Sequence, residues 1–359
     1  MRTRRNLWTS VTAALVVLLS ACTSTVAGTA TTNGTATSPG ADRLAEALAL
    51  VPAVAGSAEV SDLATSKQRW GLSGVTSETG ANSAEAKQFS SKLMATGLGS
   101  NLLIYTPMLE GVAWNGLDVD TEIRPQVDGP PVTIYRLRSS LDMQKVIDSL
   151  QADGMTRTGS DEAPFFVPKS LGDGKFGQLF LSGVTVYPAL HLLVSGPQDS
   201  WAMPAPGASL AGVAGVADLV ADLPPADYVA IDSGPRACTD PAQALGGRGT
   251  PQAVQQFLGA LDAAGDRQAV SGAVVAVTGD EAGQIRVGYA DAAAATADLP
   301  VRTAILQTVD SPVSRQPYTQ LFTARSTIVG STLRYAVTEE RPSILIRTRQ
   351  QRDTPWAFC

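Results

Sequence analysis

Gly196-Pro197-Gln198-Asp199-Ser200-Trp201-Ala202-Met203-Pro204-Ala205-Pro206-Gly207 interrupts the chain near its middle. Its three prolines and two glycines end any helical or strand periodicity. The patterns on the two sides are alike. Upstream, residues 42–55 set Leu44, Leu48 and Val51 at helical spacing. Residues 83–96 form a second helical pattern with Phe89, Leu93 and Met94 on one side, and residues 141–150 a third, with Leu141, Val146, Ile147 and Leu150 inward. Residues 132–137 alternate as a strand, and 178–194 read as strands broken near Gly183 or Pro188. Downstream, residues 228–231 read as a strand. Thr250-Pro251 caps a helix through Ala264, with proline in its permitted first turn. Residues 270–278 and 284–289 make a hairpin. Residues 292–309 are a helix that Pro300 kinks or restarts, and 321–337 and 343–349 are late strands. Each side thus carries strand, helix, strand, strand. The expected fold is α+β in two domains, 41–200 and 207–359, each an antiparallel sheet with helices on one face; ferredoxin-like repeats are the specific form expected. A body of 319 residues is also long for a single core.

Composition removes several functions. The chain has 33 acidic and 27 basic side chains, a formal charge of −6 and one histidine. That charge argues against a nucleic-acid partner, which requires a basic face. One imidazole excludes HExxH zinc sites. No GxSxG occurs: Gly71-Leu72-Ser73-Gly74 falls one residue short. No serine stands three before a lysine, and no Walker A motif is present. Gly247-Arg248-Gly249-Thr250-Pro251 lacks the third glycine of a phosphate cradle, and Pro251 removes an amide donor, so it reads as a helix cap. No cofactor is expected.

Trp114-Asn115-Gly116-Leu117-Asp118-Val119-Asp120-Thr121-Glu122 is the most charged pattern with chemical potential. On a strand, Asp118, Asp120 and Glu122 share one face. Three such carboxylates could hold a cation, making them candidate metal ligands. Two could divide acid and base roles in a hydrolase. The plain alternative is a solvated face paired with Arg124 or Arg136. His191 has no nucleophile or acid beside it in sequence and reads as a strand histidine with a satisfied hydrogen bond. Trp70, Trp114, Trp201 and Trp356 are scattered and read as packing residues.

The amino terminus speaks to location. Arg2, Arg4 and Arg5 precede an apolar run over 11–19, too short to span a bilayer but of signal-peptide length. Leu19-Ser20-Ala21-Cys22 follows, and resembles the lipobox of bacterial lipoproteins. The resemblance implies a signal peptide over 1–21 and a Cys22 thiol that carries diacylglycerol, a palmitate-type anchor. Thr3-Arg4-Arg5-Asn6-Leu7 also looks a little like a twin-arginine signal, though a generic positive start explains it. Residues 23–38 hold nine Ser or Thr and no charge, so 22–40 is read as a lipidated tether, reaching roughly 55 Å if its residues 23–38 extend fully. Residues 1–30, with 21 Arg against 6 Lys in the whole chain, resemble mycobacterial cell-envelope lipoproteins of unknown function. That implies the extracytoplasmic face of the cell membrane. Loss of 1–21 moves the formal charge from −6 to −9, so acyl chains rather than a basic patch must hold the protein to the membrane.

With Cys22 lipidated, Cys238 and Cys359 are an even pair in an oxidising compartment, and a disulfide between them is expected. It closes a loop of 121 residues, for which loop-closure entropy gives up to about 5 kcal/mol. The functional expectation is a lipid-anchored, non-enzymatic binding or accessory protein with an envelope protein partner, exposing an apolar patch or an edge strand. A carrier or sensor of a small or lipidic ligand would instead show an apolar cavity of several hundred cubic ångströms. A hydrolase would join at least two of Asp118, Asp120, Glu122, His191 or a serine within hydrogen-bond reach.

Overall fold

The computed structural model describes residues 39–245 and 250–359. The expected signal peptide, Cys22, tether residues 22–38 and the Gly247-Arg248-Gly249 turn lie outside the described residues. The strands are β1 (Ser57–Asp62), β2 (Val119–Pro125), β3 (Thr133–Leu137), β4 (Thr156–Gly159), β5 (Pro164–Val167), β6 (Val184–Tyr187), β7 (Leu192–Ser195), β8 (Tyr228–Ser233), β9 (Gly272–Val277), β10 (Ala282–Gly288), β11 (Phe322–Val329) and β12 (Thr332–Glu339). They join one 12-stranded sheet in the order β11-β12-β10-β9-β8-β1-β2-β3-β7-β6-β5-β4. Every neighbouring pair is antiparallel.

This corrects the expected division at 196–207. The two halves meet strand to strand, because β1 pairs with β8 in the register Ser57↔Asp232, Glu59↔Ala230 and Ser61↔Tyr228. The described residues, 39–245 and 250–359, form a single compact unit. The proline-rich segment lies against one face of the sheet: the Trp201 ring meets Tyr187 edge-on at 5.5 Å, and its Nε1 donates to the Leu50 carbonyl at 3.0 Å. The likeness of the halves survives as topology. Outward from the centre one half runs β1-β2-β3-β7-β6 and the other β8-β9-β10-β12-β11, the first half adding the hairpin β5-β4 at its edge. In a ferredoxin-like repeat the strands joined by a helix lie two apart with a third between them; β10 and β11, with β12 between, are so placed, whereas β1-β2-β3 and β8-β9-β10 are plain meanders.

The helices are α1 (Pro39–Ala49), α2 (Leu63–Arg69), α3 (Ala84–Thr96), α4 (Asn101–Ile104), α5 (Met143–Ala152), α6 (Gly174–Leu179), α7 (Val216–Val220), α8 (Pro241–Ala244), α9 (Pro251–Ala263), α10 (Ala292–Thr308) and α11 (Ile344–Gln350). They cover both faces of the sheet, not one. One apolar layer joins Phe89 and Leu93 of α3, Val146 and Leu150 of α5, Leu261 of α9 and Ile305 of α10. A smaller layer on the opposite face joins Leu48 of α1 and Leu219 of α7 to Val60, Ile231 and Val274. Double coverage explains why β9 is apolar without a break and buried throughout.

Residues 343–349, expected as a strand, are the helix α11. The β-branched residues Ile344, Ile346 and Thr348 favour a strand locally. Packing decides otherwise: Leu345 and Ile346 are buried, and the Glu339 carboxylate accepts from the Leu345 amide at 3.2 Å. α10 runs through Pro300 as one helix, tied by a buried Arg302 Nε to Asp298 bond of 2.7 Å.

Candidate functional site

The disulfide joins Cys238 to Cys359 with Cα atoms 5.6 Å apart. It closes a terminus that is also held by backbone bonds, from the Thr239 amide to the Ala357 carbonyl at 2.9 Å and from Cys359 to Thr239 at 3.2 Å. Arg302 reaches the Phe358 carbonyl at 2.6 Å from inside the core.

The acidic trio does not converge. Asp118 sits in a 3-10 turn (Gly116–Asp118), fully buried, and accepts from Arg138 Nε at 2.7 Å and the Asn115 amide at 3.0 Å. The β2–β3 register shifts between Val119 and Thr121, so strict alternation fails there and the three carboxylates do not share a face. Glu122 instead accepts from Arg124 Nε at 2.9 Å and Nη2 at 2.6 Å. Among the described residues no group of three or more His, Cys, Asp or Glu side chains is placed to hold a metal ion. Asp120 is half-buried, and its carboxyl is pushed up by burial against the pull of Lys67. It lines a cavity of about 630 Å³ that His191 and Ser139 also line. His191 adopts a left-handed backbone, φ 52°, and its Nδ1 is buried with no hydrogen-bond partner. No hydrogen bond links His191 to Asp120 or Ser139 among the described residues.

A groove that the sequence reading did not locate lies at the end of α3. Ser83 caps that helix, its Oγ accepting from the Ala86 amide at 3.1 Å. Gly97 ends it in the left-handed conformation, φ 70°. A Cβ there would fall 2.5 Å from Ser343 Cβ, so only glycine lets α3 close against the start of α11. The chain turns through Gly99 and re-enters helix at α4, capped by Ser100. Arg124, held by Glu122, donates to the Gly99 carbonyl at 2.7 Å and fixes that turn. Glu122 thus acts through Arg124 to position a loop.

The walls so placed enclose a groove of about 340 Å³, lined by Leu93, Met94, Leu98, Leu103, Ile104 and Pro107. No charged side chain lines it. Ser90 and Ser100 are its hydroxyl-bearing residues, and Ser100 Oγ is engaged by the Leu103 amide at 3.4 Å. Its lips are unusually apolar for a surface: Met94 is 72% and Ile104 64% exposed, with Tyr105 and Met108 beside them. The available signal was the cluster of apolar residues 102–109, in a segment without charge. At the far end of the sheet, β11 is an edge strand, with Thr323, Arg325, Ser326 and Thr327 exposed. Among the described residues no helix is long and apolar enough to cross a membrane.

No protein family matches the chain, and no curated protein matches it. Among solved structures, crystal form I of TP0453 is similar over 87% of this chain and 97% of that one, at 8% identity and a TM-score of 0.37.

Proposed function

We propose that this chain is an extracytoplasmic lipoprotein, anchored through acyl chains on Cys22, that binds without catalysis and seats an acyl chain in the α3–α4 groove. The observation that carries the reading is the groove itself: about 340 Å³, uncharged, with Met94 and Ile104 open to solvent at its mouth. That volume lies at the small end of ligand pockets. A peptide laid there would leave its amides unmatched, since the groove offers two serine hydroxyls, one of them engaged. A hydrocarbon chain makes no such demand. Each buried methylene contributes about 0.8 kcal/mol, nearly fourfold in affinity. A tether of roughly 55 Å would keep the body close to a bilayer that supplies such chains.

The test uses full-length protein carrying Cys22→Ser, which removes its own acyl chains. A dansylated undecanoic acid should bind saturably with blue-shifted emission and be displaced by palmitate. Ser90→Phe, which fills the groove from α3, should abolish the signal while leaving the melting temperature within a few degrees. Equal binding by Ser90→Phe would contradict the assignment.

A protein partner in the envelope is a second reading, favoured by the free edge of β11. A photoreactive residue at Ser326 should then give a discrete cross-link in cells that the same residue at Thr156, on the opposite edge, does not. Identical patterns at both positions would remove it.

A further inference from the structure

At the β11 end of the sheet one face is left open. α7 reaches over it only as far as β10, where Leu219 packs against Gly288. Beyond that contact Thr323, Arg325 and Thr327 of β11 and Ala336 and Thr338 of β12 are exposed. On the opposite face Leu333 and Tyr335 join the buried layer of Phe89 and Leu93. The strand registers fix the pattern of the open face, because directly paired residues of antiparallel strands point the same way. Ala336 stands between Gln284 of β10 and Arg325 of β11. One row along, Arg334 stands between Arg286 and Thr327. In the row on the other side, Thr338 stands between Ala282 and Thr323. The nine residues centred on Ala336 thus hold three guanidiniums, three hydroxyls and one amide, and no carboxylate. Neighbouring strands lie about 4.8 Å apart and successive rows about 7 Å, so long side chains around the small Ala336 can meet above it.

In a chain of formal charge −6 this patch is positive, and its charge is not paired. Among the described residues Arg325 and Arg334 make no hydrogen bond or ion pair, and Arg334 Nε is buried without a partner. Arg286, 2% exposed, meets neutral oxygens: Nη1 donates to the carbonyls of Leu219, at 3.1 Å, and Ala221, and Nη2 to Gln284 Oε1 at 3.1 Å. Its Nε has no partner either. Gln284, with its oxygen turned to Arg286, keeps its amide nitrogen as a donor. Arg286 and Arg334 face each other directly across β10 and β12, where like charges destabilise a sheet. Burial, and then Arg334, pulls the Arg286 guanidinium from 12.5 down to about 10, against the attraction of Asp222. Asp222 is exposed, and no ion pair joins it to Arg286.

We propose that this face binds a phosphate group, seated over Ala336 between the Arg325 and Arg334 guanidiniums, with Gln284 and Thr338 completing its contacts. A tetrahedral anion offers enough oxygens for two forked guanidiniums, an amide and a hydroxyl. A carboxylate has two oxygens and satisfies one fork. Arg286 lies behind and contributes charge rather than contact. The patch lies across the sheet from the layer that carries the acyl groove, and it stands without that groove. The same chemistry serves a soluble phosphate or a phospholipid headgroup.

Titration calorimetry of the full-length protein in a non-ionic detergent, with inorganic phosphate in chloride of constant ionic strength, tests this. Phosphate should approach saturation by about 10 mM, and acetate should bind at least tenfold more weakly. Arg325→Gln combined with Arg334→Gln should weaken phosphate binding at least tenfold. Arg341→Gln, which alters an exposed arginine beyond β12, should leave it unchanged. Cosedimentation of the Cys22→Ser protein with phosphatidic acid vesicles separates the two sources. Sedimentation that free phosphate reverses assigns a headgroup, and its absence assigns a soluble phosphate. No saturation by phosphate overturns the proposal, and so does equal affinity for acetate; both are read on the unaltered protein. Undiminished binding by the double arginine variant overturns it as well.

Discussion

Gly97→Ala is a severe test of how the halves are joined. The added Cβ would lie 2.5 Å from Ser343 Cβ, a residue 246 positions further along the chain, so α3 and the start of α11 cannot both keep their places. Two costs combine. An alanine at φ 70° pays about 1–2 kcal/mol in backbone strain. Overpacking against Ser343 adds about 1–3 kcal/mol. The expected loss is therefore about 2–5 kcal/mol. Ser343→Gly removes the obstructing Cβ, relieves a serine held at φ 72° and deletes a buried hydroxyl without a partner, so alone it should stay within about 1 kcal/mol of the parent. In that background Gly97→Ala should retain only the backbone cost, about 1–2 kcal/mol. Urea unfolding of the four proteins, followed by circular dichroism and tryptophan fluorescence, should give a coupling energy of about 1–3 kcal/mol, the overpacking cost. Trp70 and Trp114 report from one half and Trp356 from the other, so both probes should show one coincident transition. Additivity within about 0.5 kcal/mol would refute the close packing of α3 on α11.

Replacing Cys238 and Cys359 together with serine should lower stability by up to about 5 kcal/mol, and non-reducing peptide mapping of the parent should recover the two cysteines in one linked peptide. Burial pushes the Glu339 carboxyl from 4.5 up to about 7, against the Leu345 amide that favours its charge. The folded state then holds a proton that the unfolded chain releases, so stability falls as pH rises from about 4.5 through about 7, by at most about 3 kcal/mol. Glu339→Gln should flatten the melting temperature between pH 5 and pH 8; an unchanged slope would assign the dependence to another group. Cys22→Ser should move the protein from the membrane to the soluble fraction, and continued sedimentation with membranes would count against the anchor.

The parts of the fold legible in sequence were those decided locally. Residues 251–263 carry their cap in Thr250-Pro251, and 272–288 form a hairpin whose apolar strands flank a short polar turn. β1 escaped notice because Ser-Ala-Glu-Val-Ser-Asp looks too polar for a central strand. Its polar side chains are matched by Asp232, Arg349 and Arg124, from residues 65–292 positions away, a partnership no local pattern reveals. The same distance hid the pairing of β1 with β8 and made one sheet read as two. Helix α11 was misread because β-branched residues favour strands only until a buried face is available to a helix. Of the site residues, the cysteine pair was legible from parity alone. The carboxylate trio was legible as charge but not as geometry, since the register shift after Val119 is a backbone event without a signature in the side chains. The groove depends on how Gly97 and Gly99 fold α4 back on α3, which composition shows only as an apolar cluster.

Photolabelling tests the acyl-chain assignment most directly. A palmitate analogue with a diazirine near its terminal carbon, irradiated with the Cys22→Ser protein and mapped by peptide mass spectrometry, should label within residues 90–107, and Ser90→Phe should suppress that label. Labelling spread over other surfaces, or undiminished in Ser90→Phe, would contradict a hydrocarbon chain in the α3–α4 groove.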